Sequence, residues 1–320
     1  MWPFLRKEEI KVLGTVLKRL GQGVFVTVCV IFISFVILRM IPGDPVKVMA
    51  PTATAEQQQI IRDSMGLDKS IPEQFKIYMG NLFKGDLGES YFKSDSVINV
   101  MKQAIPLSMI LLISAIVISI LLSLILGTIA GLNGNTWIDR IVSSIAVLFQ
   151  SMPNYWVSSV LIIIFSVKLG LLPSMDYNGI ASCVLPTIAL SLPLTAVLTK
   201  VIRSSLIDSY NQEFVKVAHA RGISDIAIYF KYALRNSINP ILISFGTQLG
   251  FLVGSIVVVE YVFNFPGIGY TVLNAILRRD YNLVQGIIIL FSLFFIVLNI
   301  IIDLGSIRLD PRMRKAEGGL

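Results

Sequence analysis

Six stretches of this chain contain no aspartate, glutamate, lysine or arginine, and the shortest of them has 19 residues. They are residues 20–38, 103–138, 141–167, 177–199, 236–259 and 281–302. A helix needs roughly 20 residues to cross a hydrocarbon core about 30 Å thick. The sequence therefore predicts an all-α polytopic membrane protein with six transmembrane helices. An ordinary soluble protein is excluded because only 15% of the residues are charged, whereas about a quarter is usual.

Several functional classes are disfavoured by residues that the chain lacks. The only cysteines, Cys29 and Cys183, lie inside apolar stretches, so neither a disulfide framework nor a thiolate metal site is expected. The phosphate-binding pattern GxxxxGK[ST] does not occur, so no resident nucleotide cofactor is predicted. No histidine or lysine lies within a span to activate a serine, and His219 is the only histidine. We therefore expect no catalytic residue, bound cofactor or metal site in this chain.

The positive charges of the short loops predict the orientation. With the N-terminus in the cytoplasm, sixteen lysines and arginines lie inside. Only Lys168, Arg278 and Arg279 lie in the short outer loops, and Arg39 is at the outer rim of the first span. Cytoplasmic loops of membrane proteins are enriched in these residues. The charges therefore predict cytoplasmic N- and C-termini, and they account for the net charge of +7 without nucleic-acid binding.

The predicted organisation has four parts. Residues 1–41 form the cytoplasmic N-terminus and the first span, and residues 42–103 form an extracytoplasmic insertion. Residues 104–306 form a core of five helices with a cytoplasmic loop at 207–239, and residues 307–320 form a cytoplasmic tail.

The insertion contains two helix-start patterns. Thr54 with Gln57 and Ser70 with Glu73 have the spacing of capping boxes, and Gly66 supplies a stop between them. The insertion is therefore predicted to be a small helical unit that rests on the outer ends of the spans, with a flexible loop as the alternative.

The loop at 207–239 contains a short helix with an apolar side. Phe214, Val217, Ala218 and Arg221 follow one another at helical spacing, Glu213 opens the helix, and Gly222 supplies a left-handed residue to end it. A short helix with a small apolar face suits insertion into the groove of a partner protein. The spacing alone equally allows an ordinary helix on the membrane surface.

The spans contain neutral polar residues but no midplane charge. An ion-coupled mechanism therefore lacks the side chains on which it usually depends. The polar residues that could line a translocation path are Gln150, Ser151, Asn154, Ser191, Thr195 and Gln248. They could equally form hydrogen bonds between helices. Pro153, Pro186 and Pro193 are expected to bend their helices.

The loop and span residues together resemble a known family, the permeases of ABC importers in the dipeptide, oligopeptide and nickel branch. The resemblance rests on Glu213–Gly222 with Tyr232–Asn236 and Pro240, Pro42–Pro45, Gly85–Ser90, Ser151–Trp156, Pro266–Gly269, Arg279–Tyr281 and the tail Asp310–Arg314. These segments occur in order over nearly the whole chain. The long outer loop after the first span is similar to that of the first of the two permease subunits.

One part of the family pattern is only partly kept. In the general EAA loop, the glutamate position is occupied here by Lys216 and the first alanine by Val217, whereas Ala218 and Gly222 agree. Where the pattern ends in Leu-Pro, this chain has Leu234-Arg235. Both departures resemble those of the peptide branch, but Glu213 is not equivalent to the EAA glutamate.

The resemblance implies a type I ABC importer permease fold and a set of partners. They are a second, homologous permease subunit, two ATP-binding subunits that use ATP and magnesium, and an extracytoplasmic substrate-binding protein. It implies a bacterial or archaeal plasma membrane and the import of di- or oligopeptides, with nickel or a metal chelate as the alternative cargo. A stand-alone channel, a secondary transporter and a membrane-embedded enzyme remain as rival classes.

Overall fold

The computed structural model describes residues 2–309, apart from the side chains of residues 2–13, 15–18, 64, 225, 236, 303, 304 and 306–309. The tail motif Asp310–Arg314 lies outside the described residues. The helices are α1 (Trp2–Met40), α2 (Pro45–Met49), α3 (Ala55–Ser64), α4 (Ile71–Phe83), α5 (Val97–Leu132), α6 (Trp137–Ser151), α7 (Asn154–Leu161), α8 (Ala181–Tyr210), α9 (Glu213–Ala220), α10 (Asp225–Ile228), α11 (Leu234–Val262), α12 (Ile268–Leu277) and α13 (Tyr281–Leu309). Two π-helical segments, Ile162–Lys168 and Tyr229–Ala233, follow α7 and α10, and strands β1 (Glu89–Ser90) and β2 (Asp95–Ser96) form a small antiparallel hairpin.

Within the part of the chain that the structure describes, five helices are long and apolar enough to cross a membrane, and a bent pair makes a sixth if it counts as one span. The five segments are Arg19–Met40, Val97–Leu132, Ala181–Tyr210, Ser237–Val262 and Tyr281–Ile302. The bent pair joins Trp137–Ser151 to Asn154–Lys168 at an angle of 102°. The predicted third span is therefore not a continuous helix.

The bend has a local cause at Met152 and Pro153. A residue before proline is pushed out of the helical region, and proline itself has no N–H to donate. Met152 accordingly has an extended backbone, with ψ of 129°, and so does Pro153, with ψ of 137°. Pro153 then serves as the N-cap of α7. Pro153 bends the span, as predicted, and the helix is moreover fully interrupted there.

The described chain divides into two compact units whose boundaries differ from the predicted domains. Within the described residues, the first contains residues 2–108 and 266–297, and the second contains residues 109–265 and 298–309. The insertion at 42–103 therefore belongs to the same unit as the first span and most of the last, and the predicted core at 104–306 is divided between the units.

In the first unit, both predicted capping boxes are present and begin α3 and α4. Helix α4 rests on α1 through aromatic rings, since Phe75 lies edge-on to Phe32 and Phe35 at 5.2 and 5.1 Å. The Arg39 guanidinium lies 3.4 Å from the centre of the Phe35 ring and donates to the Gln74 side-chain oxygen at 2.6 Å. Burial in the contact between α4 and α1 raises the pKa of the Tyr78 hydroxyl, on α4, to about 12. The insertion is thus a packed helical unit on the first span, as predicted.

Three of the motifs that carry the family resemblance meet in the first unit. The buried Asp280 carboxylate accepts from the Ser90 hydroxyl at 2.6 Å and from the Phe92 and Leu283 N–H groups, both at 3.2 Å. Arg279 donates to the Pro42 carbonyl at 2.5 Å. These bonds hold the hairpin and the turn after α1 against the α12–α13 connection.

The second unit is built around α8, which packs against α6, α7 and α11. Small residues let α5 approach it closely: a Cβ placed on Gly127 would lie 2.7 Å from the Ile202 Cβ, and one on Gly131 would lie 2.9 Å from the Leu206 Cβ. Close approach through glycine is a common way to join membrane helices. This core positions the loop that connects α8 to α11.

Candidate coupling loop and translocation path

The loop between α8 and α11 is a folded helical unit with its own apolar cluster. Val215 and Ala218 on α9 are buried together with Ile228 at the end of α10. Tyr210, Phe214 and Ile223 pack around them and are partly buried. The cluster attaches α9 to the helical segment that leads into α11.

Helix α9 ends in a Schellman motif at Gly222. The Gly222 N–H donates to the His219 carbonyl at 2.9 Å, and the Ile223 N–H donates to the Ala218 carbonyl at 3.2 Å. Gly222 has a φ of +74°, which is the left-handed conformation that the sequence predicted for it. Ser224 then caps the next helix, since its hydroxyl accepts from the Ala227 N–H at 3.4 Å. The chain therefore reverses sharply between α9 and α10.

The second half of the loop is connected to two other helices of the same unit. Tyr229 and Ala233, in the π-helical segment, pack with Ile202 and Leu206 of α8. The Tyr229 hydroxyl forms a hydrogen bond with the Thr128 hydroxyl of α5 at 2.6 Å. A displacement of α9 would therefore act on α5, α8 and α11 through packed side chains.

The face that α9 exposes differs from the predicted one. Ala218 is buried and Phe214 is partly buried beside the Tyr232 ring, with 6.3 Å between ring centres, so both face the loop's own cluster. The exposed side presents Glu213, Val217 and Arg221, and Val217 is 48% exposed. A helix of this length uses one apolar side to attach itself, which leaves Glu213, Val217 and Arg221 exposed; their contact with a partner stays a prediction.

The candidate path residues of the bent span lie around its break. Gln150 and Ser151 are exposed at the end of α6, and Asn154 is partly buried at the start of α7. The Ser151 hydroxyl donates to the Val147 carbonyl at 2.8 Å, within its own helix. The Asn154 side-chain oxygen is buried and has no hydrogen-bond partner in the described part of the chain.

The candidate path residues of α8 do not line an open path in this structure. Ser191 and Thr195 are only 2% and 5% exposed, because α8 is enclosed by its neighbours. The Ser191 backbone carbonyl accepts from the Ser119 hydroxyl of α5 at 3.0 Å, whereas the Ser191 hydroxyl donates within α8 to the Ile188 carbonyl at 3.0 Å. Gln248 on α11 is partly buried.

Sequence reasoning missed two polar contacts between α6 and α8. Arg203 donates twice to the buried Asp139 carboxylate, which also accepts from the Asn135 N–H at 2.9 Å. Lys200 donates to the Gln150 side-chain oxygen at 2.6 Å. The loop-charge argument assigned Lys200 and Arg203 to a cytoplasmic loop; in the structure both lie on α8, which continues to Tyr210, and the side of the membrane on which they lie stays a prediction. An unbroken helical pattern beyond Thr199 was the available signal.

Among the residues that the structure describes, no three histidine, cysteine, aspartate or glutamate side chains come together as a candidate metal site.

The apolar spans and the folded loop between two of them define a class of protein, the membrane-spanning permease subunits of transporters. The chain belongs to the family of binding-protein-dependent transport system inner membrane components, whose pattern it matches over residues 123–315. Residues 12–112 match the N-terminal part that accompanies this family. It is thus an ABC importer permease subunit of the dipeptide, oligopeptide and nickel type.

Known relatives and solved structures agree with this assignment. The glutathione transport system permease protein GsiC of Escherichia coli O6:H1 is 34% identical over 304 residues, covering 94% of this chain and 99% of the relative. The probable peptide ABC transporter permease protein y4tP of Sinorhizobium fredii is 30% identical over 308 residues, covering 93% and 98%.

The fold is similar to that of two solved transporters. An inward-facing MetNI methionine ABC transporter has a TM-score of 0.57 at 14% identity, covering 67% of this chain and 97% of that one. An amino acid ABC transporter determined with histidines has a TM-score of 0.53 at 16% identity, covering 66% and 94%. These likenesses support the type I permease fold.

Proposed function

We propose that this chain forms, with a second homologous permease subunit, the translocation path of an ATP-driven importer for di- or oligopeptides. Two ATP-binding subunits on the cytoplasmic face would bind and hydrolyse ATP with magnesium, and an extracytoplasmic binding protein would deliver the peptide. The chain itself would be a non-catalytic subunit of a bacterial or archaeal plasma membrane, with both termini in the cytoplasm. The relatives that transport glutathione and peptides support this cargo.

The observation that carries the proposal is the packed loop between α8 and α11. Helix α9 has one side buried against Ile228 and the other side exposed at Val217. Ile228 directly precedes the π-helical segment through which α10 continues into α11, and Tyr229 bonds to α5. A partner that binds α9 and displaces it would therefore also displace the spans to which α9 is connected. ATP binding would thus select one of two packed arrangements of the helices.

Reconstitution in proteoliposomes tests the proposal. We expect uptake of glutathione or trialanine only when the two permease subunits, the ATP-binding subunits, the binding protein and ATP are all present. Uptake by this chain alone, driven by an ion gradient, would instead favour a secondary transporter.

A substitution on the exposed side of α9 tests the coupling role separately. Val217→Asp replaces the apolar residue of the exposed side with a charge without entering the loop's cluster, so we expect the ATP-binding subunits to dissociate during purification. Val217→Leu keeps the surface apolar and is the matched control. Full retention of the ATP-binding subunits by Val217→Asp would remove α9 from the contact.

A further inference from the structure

Lys200 lies on a helix that is long and apolar enough to cross a membrane, where lysine is uncommon. It lies inside α8, ten residues before the helix ends at Tyr210, and its ammonium donates to the Gln150 side-chain oxygen at 2.6 Å. Gln150 is the second-last residue of α6, immediately before the break at Met152 and Pro153. Position 150 is thus close to the middle of the bent pair Trp137–Lys168.

The position of the Arg203–Asp139 ion pair shows the direction in which the Lys200 side chain extends. Arg203, one turn further along α8, pairs with Asp139 near the start of α6. Gln150 lies 11 residues beyond Asp139 on α6, a rise of about 16 Å at about 1.5 Å per residue. Because Arg203 bonds to Asp139 and Lys200 bonds to Gln150, the Lys200 side chain extends away from Arg203 and toward the break in the bent span.

The two cations of α8 differ in how their charge is compensated. Arg203 faces a carboxylate that is buried and fully engaged. Lys200 contacts a neutral amide, and no ion pair to it occurs among the described residues. An ammonium has three donors, so further hydrogen bonds remain available to Lys200.

Charged side chains of membrane-spanning helices usually face a water-filled cavity or a polar partner rather than lipid. Gln150 and Ser151 are both exposed, and their polar side chains favour water over lipid as a neighbour. The side of α6 and α8 that carries Gln150, Ser151 and Lys200 is therefore suited to line a water-filled path rather than to face lipid.

We propose that Lys200 is a specificity-determining residue of the translocation path, where its ammonium, positioned by Gln150, transiently binds a carboxylate of the passing substrate. The proposal rests on the proposed function and narrows its substrate class to molecules with a free carboxylate, such as unblocked peptides. A single cation with a neutral neighbour binds a carboxylate weakly, and a path requires substrate to leave as well as enter.

A cysteine reporter next to Lys200 tests the local field without any cargo. The assembled complex carries Ser151→Cys together with Cys29→Ala and Cys183→Ala. It is treated with a negatively charged sulfonatoethyl methanethiosulfonate or with its positively charged trimethylammonium analogue. The quantity measured is the ratio of the anionic to the cationic reaction rate.

We expect Lys200→Gln to lower this ratio about 25-fold, because a unit charge about 4 Å away in water speeds the anionic reagent about fivefold and slows the cationic one about fivefold. Lys200→Arg keeps the charge and should keep the ratio. Lys168→Gln removes the same charge from an exposed site at the end of the bent span and should change nothing. If Lys200→Gln does not assemble, raising the salt concentration on the Lys200 protein should lower the ratio by screening.

Two results would overturn the proposal: a cysteine at position 151 that neither reagent modifies, or a ratio that is indifferent both to Lys200 and to salt. The uptake assay gives the second measurement. For whichever of glutathione or trialanine the wild type imports at saturating binding protein, Lys200→Gln should slow uptake severalfold and Lys200→Arg should restore it. If the wild type imports neither, the peptide function fails while the reporter result still decides the role of Lys200.

Discussion

At the scale of single residues, Gly222 is constrained by its backbone conformation in the loop between α8 and α11. Its φ of +74° closes the Schellman motif, and there is open space around a Cβ built at this position. A substitution is therefore penalised by backbone strain and not by a clash. The left-handed conformation costs roughly 1–2 kcal/mol for residues with a Cβ and is least accessible to β-branched ones.

We expect Gly222→Val to abolish ATP-driven uptake while the protein still inserts in the membrane. Gly222→Asn, which tolerates the left-handed region, should retain most of the uptake. Uptake in proteoliposomes, normalised to the amount of inserted protein, measures both. Normal uptake by the valine variant would show that the α9 reversal is not needed for coupling.

Asp44 is the residue in the insertion whose ionisation should matter for stability. Burial alone would raise the pKa of Asp44, but the hydrogen bond from Arg62 at 2.6 Å and that from the Val46 N–H at 3.0 Å outweigh it and lower the pKa. A carboxylate with a lowered folded-state pKa stabilises the fold above its unfolded pKa of about 3.9. That stabilisation is lost as the pH falls through the folded-state value.

We therefore expect Asp44→Asn to increase hydrogen exchange in Ala55–Ser64 at pH 7, and the difference from wild type to shrink only as the pH falls below about 4 toward the lowered folded-state pKa. Asp63→Asn removes the same charge from the residue next to Arg62 and serves as the control. We expect it to change hydrogen exchange in Ala55–Ser64 less than Asp44→Asn does. A difference that persists unchanged at low pH would mean that Asp44 acts through its shape and not through its charge.

At the scale of elements, the break in the third span and the α5–α8 contact have different physical origins. The break follows from proline chemistry at Met152 and Pro153 and needs no partner. The contact between α5 and α8 depends on Gly127 and Gly131, where the absence of a Cβ lets the helices approach. Its residues are far apart in sequence, so the contact exists only in the folded unit.

We expect Gly127→Val to lower the thermal stability of the purified protein, because the new side chain would overlap Ile202 and the Thr199 carbonyl. Overpacking of this kind typically costs about 1–3 kcal/mol. Gly254→Val, in the middle of α11 with open space around its Cβ position, is the matched control. Equal melting temperatures for the two variants would show that α5 and α8 can separate at little cost.

At the scale of the whole molecule, orientation follows from charge and parity. If the bent pair crosses the membrane once, the described spans place both termini on the same side, in agreement with the loop charges. If the bent pair instead entered and left the membrane on the same side, α8, α11 and α13 would each cross in the direction opposite to the predicted one. It would also move the loop at 207–239 outside.

Topology reporters distinguish these arrangements. Alkaline phosphatase fused after Asp86 should be active outside the cell, and the same enzyme fused after Tyr210 should be inactive. A green fluorescent protein fused after Tyr210 should fluoresce, because it folds in the cytoplasm. Phosphatase activity at Tyr210 would reverse the orientation of the second half of the chain.

Local chemistry in the sequence determined much of the architecture. Charge-free stretches predicted the spans, the Thr54–Gln57 and Ser70–Glu73 pairs predicted two helix starts, and Gly222 predicted the end of α9. Each of these signals depends on residues close together in sequence, where propensity and capping act directly.

Only the tertiary structure decided which polar side chains are enclosed and which are open. A helix that is apolar on all sides has no sequence pattern to show which side faces a neighbour, so the burial of Ser191 and Thr195 could not be predicted. The pairing of Lys200 with Gln150 joins residues 50 positions apart. Such contacts are set by how the helices pack, and that packing depends on side chains throughout the unit at once.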